Sequence, residues 1–323
     1  MTCDGSNLTI APNLNDPETL WKSNQLGATG NHLHLNALYD ALNRTYIDAL
    51  VQTASMYQEH RACIQMIERV TLDKVILIAD RGYENYNIMS HAIEKGWKFL
   101  IRIKDVHSNG IASGLELPQT AVFDMDINLI LTRNQTKSKK QAGYKFMPTV
   151  QTFDYLPIGS KEDYPISFRI ARFKIADDSY ETVITNLDRF CFSAEKLKEL
   201  YHLRWGIETS FRELKYAIGL TSFHAKKVDY IKQEIFARLT LYNYCELITT
   251  YVVEHTENIS KKNQVNFTIA IYICREYLRR KRKLRPPDVV KLIEKHILPI
   301  RPGRRDPRKV KPQASVSFLY RVA

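Results

Sequence analysis

The sequence predicts an α/β protein whose mixed sheet is flanked by helices. The apolar run from Val75 to Ala79, which ends in Asp80, is typical of a buried central strand in such a sheet. Residues 32–39 and 45–52 predict two further strands, and residues 59–70 have apolar side chains at helical spacing. A chain of 323 residues with 44% apolar content can bury one large core or two modest ones.

The first ten residues predict the end of a strand that carries Asp4 into a turn at Asp-Gly-Ser. On this pattern alone, an ordinary surface turn is the simpler interpretation. The next two strands are joined through residues 40–44. Asp40 begins this connection, and Asp48 lies in the strand that follows it. These two residues are the alternatives to Asp4 for any role that needs a carboxylate in this part of the sheet.

Asp80 follows the carboxyl end of its strand, the edge at which open α/β sheets bind ligands. The alternative is that Asp80 caps the helix predicted for residues 85–96, although Arg81 and Gly82 intervene. Residues 97–105 predict the next strand.

Residues 106–187 predict a β-rich insertion. Around Asp124 and Asp126, apolar and polar side chains alternate, as in a strand with one buried face. Residues 166–175 also alternate, with a phase slip at residues 170–171 that indicates a bulge. Residues 180–185 are predicted to pair with this strand as a hairpin.

A single helix is predicted to begin after the N-cap residue Ser193 and to continue beyond Lys215. At about 100° per residue, Tyr201, Arg204, Glu208 and Lys215 fall on one stripe beside an apolar stripe. A surface ion pair between Arg204 and Glu208 is the simpler interpretation. The phenol and the ammonium group on the same line favour a site that binds a metal and a polyanionic strand together.

The opposite side of this helix, which includes Glu213, is expected to face solvent. Residues 230–255 and 267–282 predict two more helices. The net charge is +12, and residues 275–323 carry all of it, with 16 Lys/Arg against 4 Asp/Glu. For the Pro-rich basic tail from residue 301, two interpretations remain: a solvated tail without a binding role, or a segment that binds phosphates without sequence specificity.

The five cysteines form no Cys-x-x-Cys pair, and the nine histidines form no His-x-x-x-His pair. This pattern favours reduced thiols over a disulfide framework and argues against a zinc site. The chain contains no apolar run of about 18 residues and no signal-peptide pattern. We therefore expect a soluble cytoplasmic protein.

The spacing Tyr-x2-Arg-x3-Glu-x6-Lys from Tyr201 to Lys215 resembles the signature helix of the IS4-type DDE transposases. Asp80-Arg-Gly-Tyr resembles the second-Asp motif of that family, and Asp4-Gly-Ser resembles the context of its first catalytic Asp. The resemblance extends to about His255. Asp4 is preferred over its two alternatives because they lie in the second and third strands of the order expected for the family.

The resemblance implies a ribonuclease-H-like core formed by residues 1–105 and 188–255, the β-rich insertion at residues 106–187, and a helical and basic region at residues 256–323. It implies two Mg²⁺ or Mn²⁺ ions, which are hard cations that bind oxygen ligands. The residues implied to hold the metal and catalyse the reaction are Asp4, Asp80 and Glu208. The residues implied to contact DNA are Tyr201, Arg204, Lys215 and Arg81.

The function implied is that of a bacterial insertion-sequence transposase, which cleaves and joins double-stranded DNA at inverted terminal repeats and in a target. The resemblance also implies that the protein forms a homodimer in the synaptic complex and is nucleoid-associated. It implies no membrane partner. The family carries an end-recognition region before its first Asp, whereas three residues precede Asp4 here. The alternative is a truncated, catalytically defective derivative that binds DNA or full-length transposase as an inhibitor or remnant. A resolvase or nuclease on the same core is a third option.

Overall fold

The computed structural model describes residues 1–22, 29–106, 108–136, 143–255, 263–281 and 285–300. The basic tail from residue 301 and part of the charge run before it lie outside these residues. The chain divides into two compact units. The first comprises Met1–Asp4, Asn36–Leu38 and Gln58–Trp205, and the second comprises Gly5–Leu35, Tyr39–Tyr57 and Gly206–Ala323.

The strands, in chain order, are β1 Thr2–Ile10, β2 Leu20–Lys22, β3 Thr29–Asp40, β4 Thr45–Thr53, β5 Ile76–Ala79, β6 Lys98–Arg102, β7 Phe123–Thr132, β8 Tyr144–Phe146, β9 Asp163–Ala176, β10 Ser179–Thr185, β11 Asn263–Val265 and β12 Ile297–Pro299. The helices are α1 Glu59–Arg69, α2 Tyr86–Glu94, α3 Ala194–His202, α4 Trp205–Glu213, α5 Val228–His255, α6 Phe267–Arg279 and α7 Val289–Glu294. These elements confirm the predicted α/β class.

The first unit is a mixed sheet covered by helices on both faces. Its strand order is β1-β5-β6-β10-β9-β7-β8. The first residues of β1 pair in parallel with β5, and β5 pairs in parallel with β6. The pairs β6–β10, β10–β9 and β9–β7 are antiparallel. On one face, α1 and α2 share a core with Leu77, Phe99 and Ile170. On the other face, α3 packs on Leu100 and Val183 through Leu197.

The bulge predicted at residues 170–171 is wrong. Ile170 and Ala171 pair in regular register with β10, and the irregularity lies at Ser179 and Tyr180 instead. Ile170 belongs to the core beneath α1 and α2, and Ala171 to the core beneath α3. Consecutive apolar residues therefore arise because both faces of the sheet are covered, and no bulge is needed to explain them. The residues predicted as an insertion continue this sheet, since β10 pairs with β6.

The turn predicted at Asp4 is wrong, because β1 continues through Asp-Gly-Ser to Ile10. The strand contributes its first residues to the first unit, and from Gly5 onwards it belongs to the second unit. There β1 pairs with β3, which also pairs with β2 and β4. A hydrogen-bonded partner along this part of the strand keeps the backbone extended despite the turn-forming residues.

The second unit combines this sheet with α4 to α7. Aromatic side chains from β3, β4, α5 and α6 meet in its interior: Tyr39, Tyr46, Tyr242 and Phe267. The long helix α5 was predicted at residues 230–255 and is confirmed at Val228–His255. No helix in the described ranges is long and apolar enough to cross a membrane.

The predicted single helix is broken. Ser193 is the N-cap of α3, as predicted, with its hydroxyl accepting the Lys196 amide. The amides of Leu203 and Arg204 then bond three residues back, to Leu200 and Tyr201, and these tight turns end α3. A second helix, α4, begins at Trp205. The four residues predicted to share one stripe therefore do not share one helix.

Candidate active site

Two of the predicted carboxylates lie beside each other in the first unit. The parallel register of β1 and β5 places Thr2 opposite Ile78 and Cys3 opposite Ala79. Asp4 and Asp80 are the next residue on each chain. Because both strands run in the same direction, these two acids meet at the carboxyl edge of the sheet, where α/β folds bind ligands.

The turn after β5 fixes the orientation of Asp80. Its Oδ1 accepts the Gly82 amide at 2.8 Å, so Asp80 caps the short 3-10 turn Arg81–Tyr83. The cap of α2 is Asn85, whose Oδ1 accepts the Asn87 amide. The alternative that Asp80 caps the following helix is therefore wrong.

Gly82 is needed in this turn for space. A Cβ at position 82 would stand 2.9 Å from Asp80 Oδ1, a distance that real Cβ contacts essentially never show. Any larger residue would displace the carboxylate or open the turn. The glycine of Asp-Arg-Gly thus allows the Asp80 carboxylate to lie against the backbone amide.

His60 on α1 supports the same turn from the other side. Its Nε2 lies 2.6 Å from the Gly82 carbonyl oxygen, and its Nδ1 lies 3.2 Å from Asn85 Nδ2. Since a carbonyl oxygen can only accept, Nε2 carries the proton and Nδ1 accepts from the amide. Sequence analysis missed His60, because nothing in the local pattern links α1 to a turn 22 residues later.

Tyr201 and Arg204, from the signature stretch, lie in the first unit with Asp80. Arg204 is 7% exposed, and its guanidinium stands 5.7 Å from the Tyr201 ring and 5.1 Å from the Trp205 ring. Burial raises the pKa of Tyr201. The positive charges of Arg204 and Arg102 oppose this rise, and the negative charge of Asp80 adds to it. The buried Tyr201 hydroxyl has no hydrogen-bond partner among the residues described.

Glu208 and Lys215 lie in the second unit. Glu208 is in the first turn of α4 and is half-buried. Lys215 lies in a π-turn, Leu214–Ile218, which ends at Gly219 in the left-handed conformation with φ 93°. Burial lowers the pKa of Lys215. The wider turn shifts Lys215 around the axis from its predicted α-helical position.

Of the two alternatives to Asp4, Asp40 has a structural role in a turn. Asp40 ends β3, where its carboxylate accepts the amides of Leu42 and Asn43 and the Asn43 side chain at 2.6–3.1 Å. Asp48 lies within β4, and both residues belong to the second unit. Arg81, the remaining predicted DNA contact, is exposed on the 3-10 turn beside Asp80.

A divalent metal fits the donor types at this edge of the sheet. Asp4 and Asp80 offer hard carboxylate oxygens from adjoining strands, and the Gly82 amide holds one Asp80 oxygen in place. In the described ranges, no three His, Cys, Asp or Glu side chains are grouped closely enough to form a metal site by themselves. The paired carboxylates are therefore the part of the predicted ligand set that the structure brings together.

Comparison with known proteins adds an independent observation. A family model described as a transposase DDE domain matches residues 3–244, which include Asp4, Asp80 and Glu208. The chain belongs to this family. A probable transposase for insertion sequence element IS5377 from Geobacillus stearothermophilus is 23% identical over 178 residues, which cover 54% of this chain and 40% of that protein. The match thus spans less than half of the relative's length.

Among solved structures, the piggyBac transposase in a synaptic complex with hairpin DNA aligns with a TM-score of 0.49 and 9% identity. The alignment covers 88% of this DDE-domain chain and 54% of that protein.

Proposed function

We propose that this DDE-domain chain is an IS4-type transposase that cleaves and joins DNA at the inverted ends of a bacterial insertion sequence. The observation that carries the proposal is the β1–β5 register, which brings Asp4 beside Asp80 in a chain of the transposase DDE family. The mixed sheet with helices on both faces supports a ribonuclease-H-like core. The signature spacing supports the narrower IS4-type assignment.

In this proposal Asp4, Asp80 and Glu208 hold two Mg²⁺ or Mn²⁺ ions. Bound there, such ions would supply Lewis-acid chemistry for in-line attack of a water or a 3′-hydroxyl on a phosphodiester. The chain supplies the oxygen ligands and their orientation. The Gly82 amide fixes Asp80, and the capped turn prevents the carboxylate from rotating away.

Arg204 and Tyr201 are proposed to hold phosphate oxygens near the scissile bond. A guanidinium offers two parallel donors to a phosphate, and the Tyr201 hydroxyl supplies one more. Lys215 and Arg81 are proposed to bind neighbouring phosphates. The DNA partner is double-stranded, and two copies of the chain are proposed to act together at paired ends.

The test uses charge-removing isosteres of the proposed ligands. Asp80→Asn and Glu208→Gln should each lower Mg²⁺- or Mn²⁺-dependent nicking of supercoiled plasmid by about 10³-fold or more. Duplex affinity should stay within a few-fold, since phosphate contacts dominate it. Asp73→Asn and Glu199→Gln make the same chemical changes at exposed positions and should nick like the unmodified protein. Unchanged nicking by Glu208→Gln or Asp80→Asn would overturn the assignment.

A further inference from the structure

A buried polar cluster in the second unit connects α4, α5 and the β3–β4 hairpin. The Tyr242 hydroxyl lies 3.1 Å from Glu213 Oε2, 3.1 Å from Glu246 Oε1 and 3.3 Å from the Tyr39 hydroxyl. Arg44 Nη2 lies 2.9 Å from Glu246 Oε1 and 4.0 Å from Glu213 Oε1. Glu246 is 1% exposed. Two carboxyl groups, the buried Glu246 and the partly exposed Glu213, thus share one phenol and the exposed Arg44 guanidinium.

One additional proton gives each hydrogen bond of this cluster its own hydrogen. A tyrosine hydroxyl has one hydrogen, so Tyr242 can donate to only one of the two carboxyl groups at 3.1 Å. If both were ionised, the other carboxylate would face the hydroxyl oxygen with no hydrogen between them. If one carboxyl group is protonated, it donates to Tyr242, which donates to the other. Its neutral form also balances the charge, with one carboxylate against Arg44.

Burial favours this protonated form. It raises the pKa of Glu246 to about 7, although Arg44 acts in the opposite direction. Burial also raises the pKa of Glu213, again against Arg44. The other titratable groups that face the cluster are Tyr39 and Tyr46 on the hairpin, Arg212 on α4 and Cys245 on α5.

The cluster holds the helix that carries Glu208. Glu213 is the last residue of α4. The same helix is also held at Ser210, whose Oγ lies 2.6 Å from the Tyr46 hydroxyl. Tyr46 is fixed in turn by Asn243 on α5, which bonds to its amide and its carbonyl at 2.8 Å each. The middle and the end of α4 are therefore tied to α5 and β4.

We propose that Glu246 is a positioning residue for α4, which it holds through Tyr242 and Glu213 while the two carboxyl groups share one proton. The inference rests on the proposed function only for the catalytic role of Glu208. When the shared proton is lost, two negative charges, of which that of Glu246 is fully buried, compete for Arg44, and the end of α4 loosens. Since the folded state binds this proton more tightly than the unfolded state, stability falls as the pH rises from about 4.5 through about 7.

The experiment follows melting temperature against pH for the full chain, Glu246→Gln, Glu213→Gln and the control Glu254→Gln, whose residue is exposed on the same helix. The unmodified chain and the control should lose stability between about pH 5 and about pH 8. Both cluster variants should lack this component, because a glutamine amide supplies hydrogen and carries no charge. Glu213→Gln keeps the test decisive if Glu246→Gln does not fold.

Hydrogen exchange of the peptide that covers α4 locates the effect. After correction for intrinsic rates, exchange in the unmodified chain should be faster at about pH 8 than at about pH 6, because the deprotonated fraction of a group whose pKa is about 7 rises about tenfold over this range. Glu246→Gln should not show this increase. The inference would be overturned if the melting temperatures of both glutamine variants depended on pH as that of the unmodified chain does. It would also be overturned if hydrogen-exchange protection of α4 in the unmodified chain did not depend on pH. Neither readout uses DNA cleavage, so failure of the proposed function would be seen separately.

Discussion

Replacement of Gly82 by alanine should separate the orientation of Asp80 from the stability of the fold. The added Cβ would lie 2.9 Å from Asp80 Oδ1, whereas ordinary contact begins at 3.4 Å, so the carboxylate must move by about half an ångström. Metal–ligand distances hold within about 0.2 Å, and a misplacement of about 1 Å costs on the order of 10²-fold in rate. We expect nicking to fall by about tenfold, with a parallel loss of Mn²⁺ affinity.

The expected change in stability is small. The charge-assisted bond from the Gly82 amide contributes about 1.5–3 kcal/mol, and alanine recovers about 0.4–1 kcal/mol by restricting the unfolded chain. A net loss of roughly 1–2 kcal/mol leaves the protein folded.

The assay measures melting temperature, Mn²⁺ binding by electron paramagnetic resonance, and nicking of supercoiled plasmid. The control is Gly30→Ala on β3, where the nearest atom to the added Cβ is His32 Nε2 at 3.4 Å. Mn²⁺ affinity and nicking of Gly82→Ala at the level of the unmodified protein would refute the steric argument.

Two further predictions concern other parts of the chain. Asp40→Ala should cost about 1–3 kcal/mol of stability and leave nicking per folded molecule unchanged; a loss of nicking would return Asp40 to candidacy for the metal site. Hydrogen bonds from Asn43 lower the pKa of Asp40, although burial opposes them, so its contribution to stability should be lost as the pH falls below about 3.9. Deletion of residues 301–323 should flatten the dependence of log K on log salt by about 0.9 for each phosphate contact removed, and an unchanged slope in a duplex-binding titration would show that the tail makes no such contact.

The sequence alone determined the elements whose signal is local. The apolar run before Asp80 predicted β5, and helical spacing predicted α1 and α5, since periodicity and capping act within a few residues. Ser193 was identified as an N-cap for the same reason. The acidic residue that follows the carboxyl end of β5, Asp80, was also visible in the sequence, together with the resemblance of the chain to a transposase family.

Only the tertiary structure decided how those elements pair and where they end. The register that brings Asp4 beside Asp80 depends on hydrogen bonds between strands about 75 residues apart, which no local pattern specifies. The break at Leu203 separates Tyr201, buried in the first unit, from Ile207 in the second; helical periodicity continues across it, so the sequence predicted one helix. Glu213 was expected to face solvent, yet it is only 19% exposed and accepts a hydrogen bond from Tyr242. Burial of a polar group depends on residues distant in the chain, and for that reason its pKa and its partners became apparent only in the folded protein.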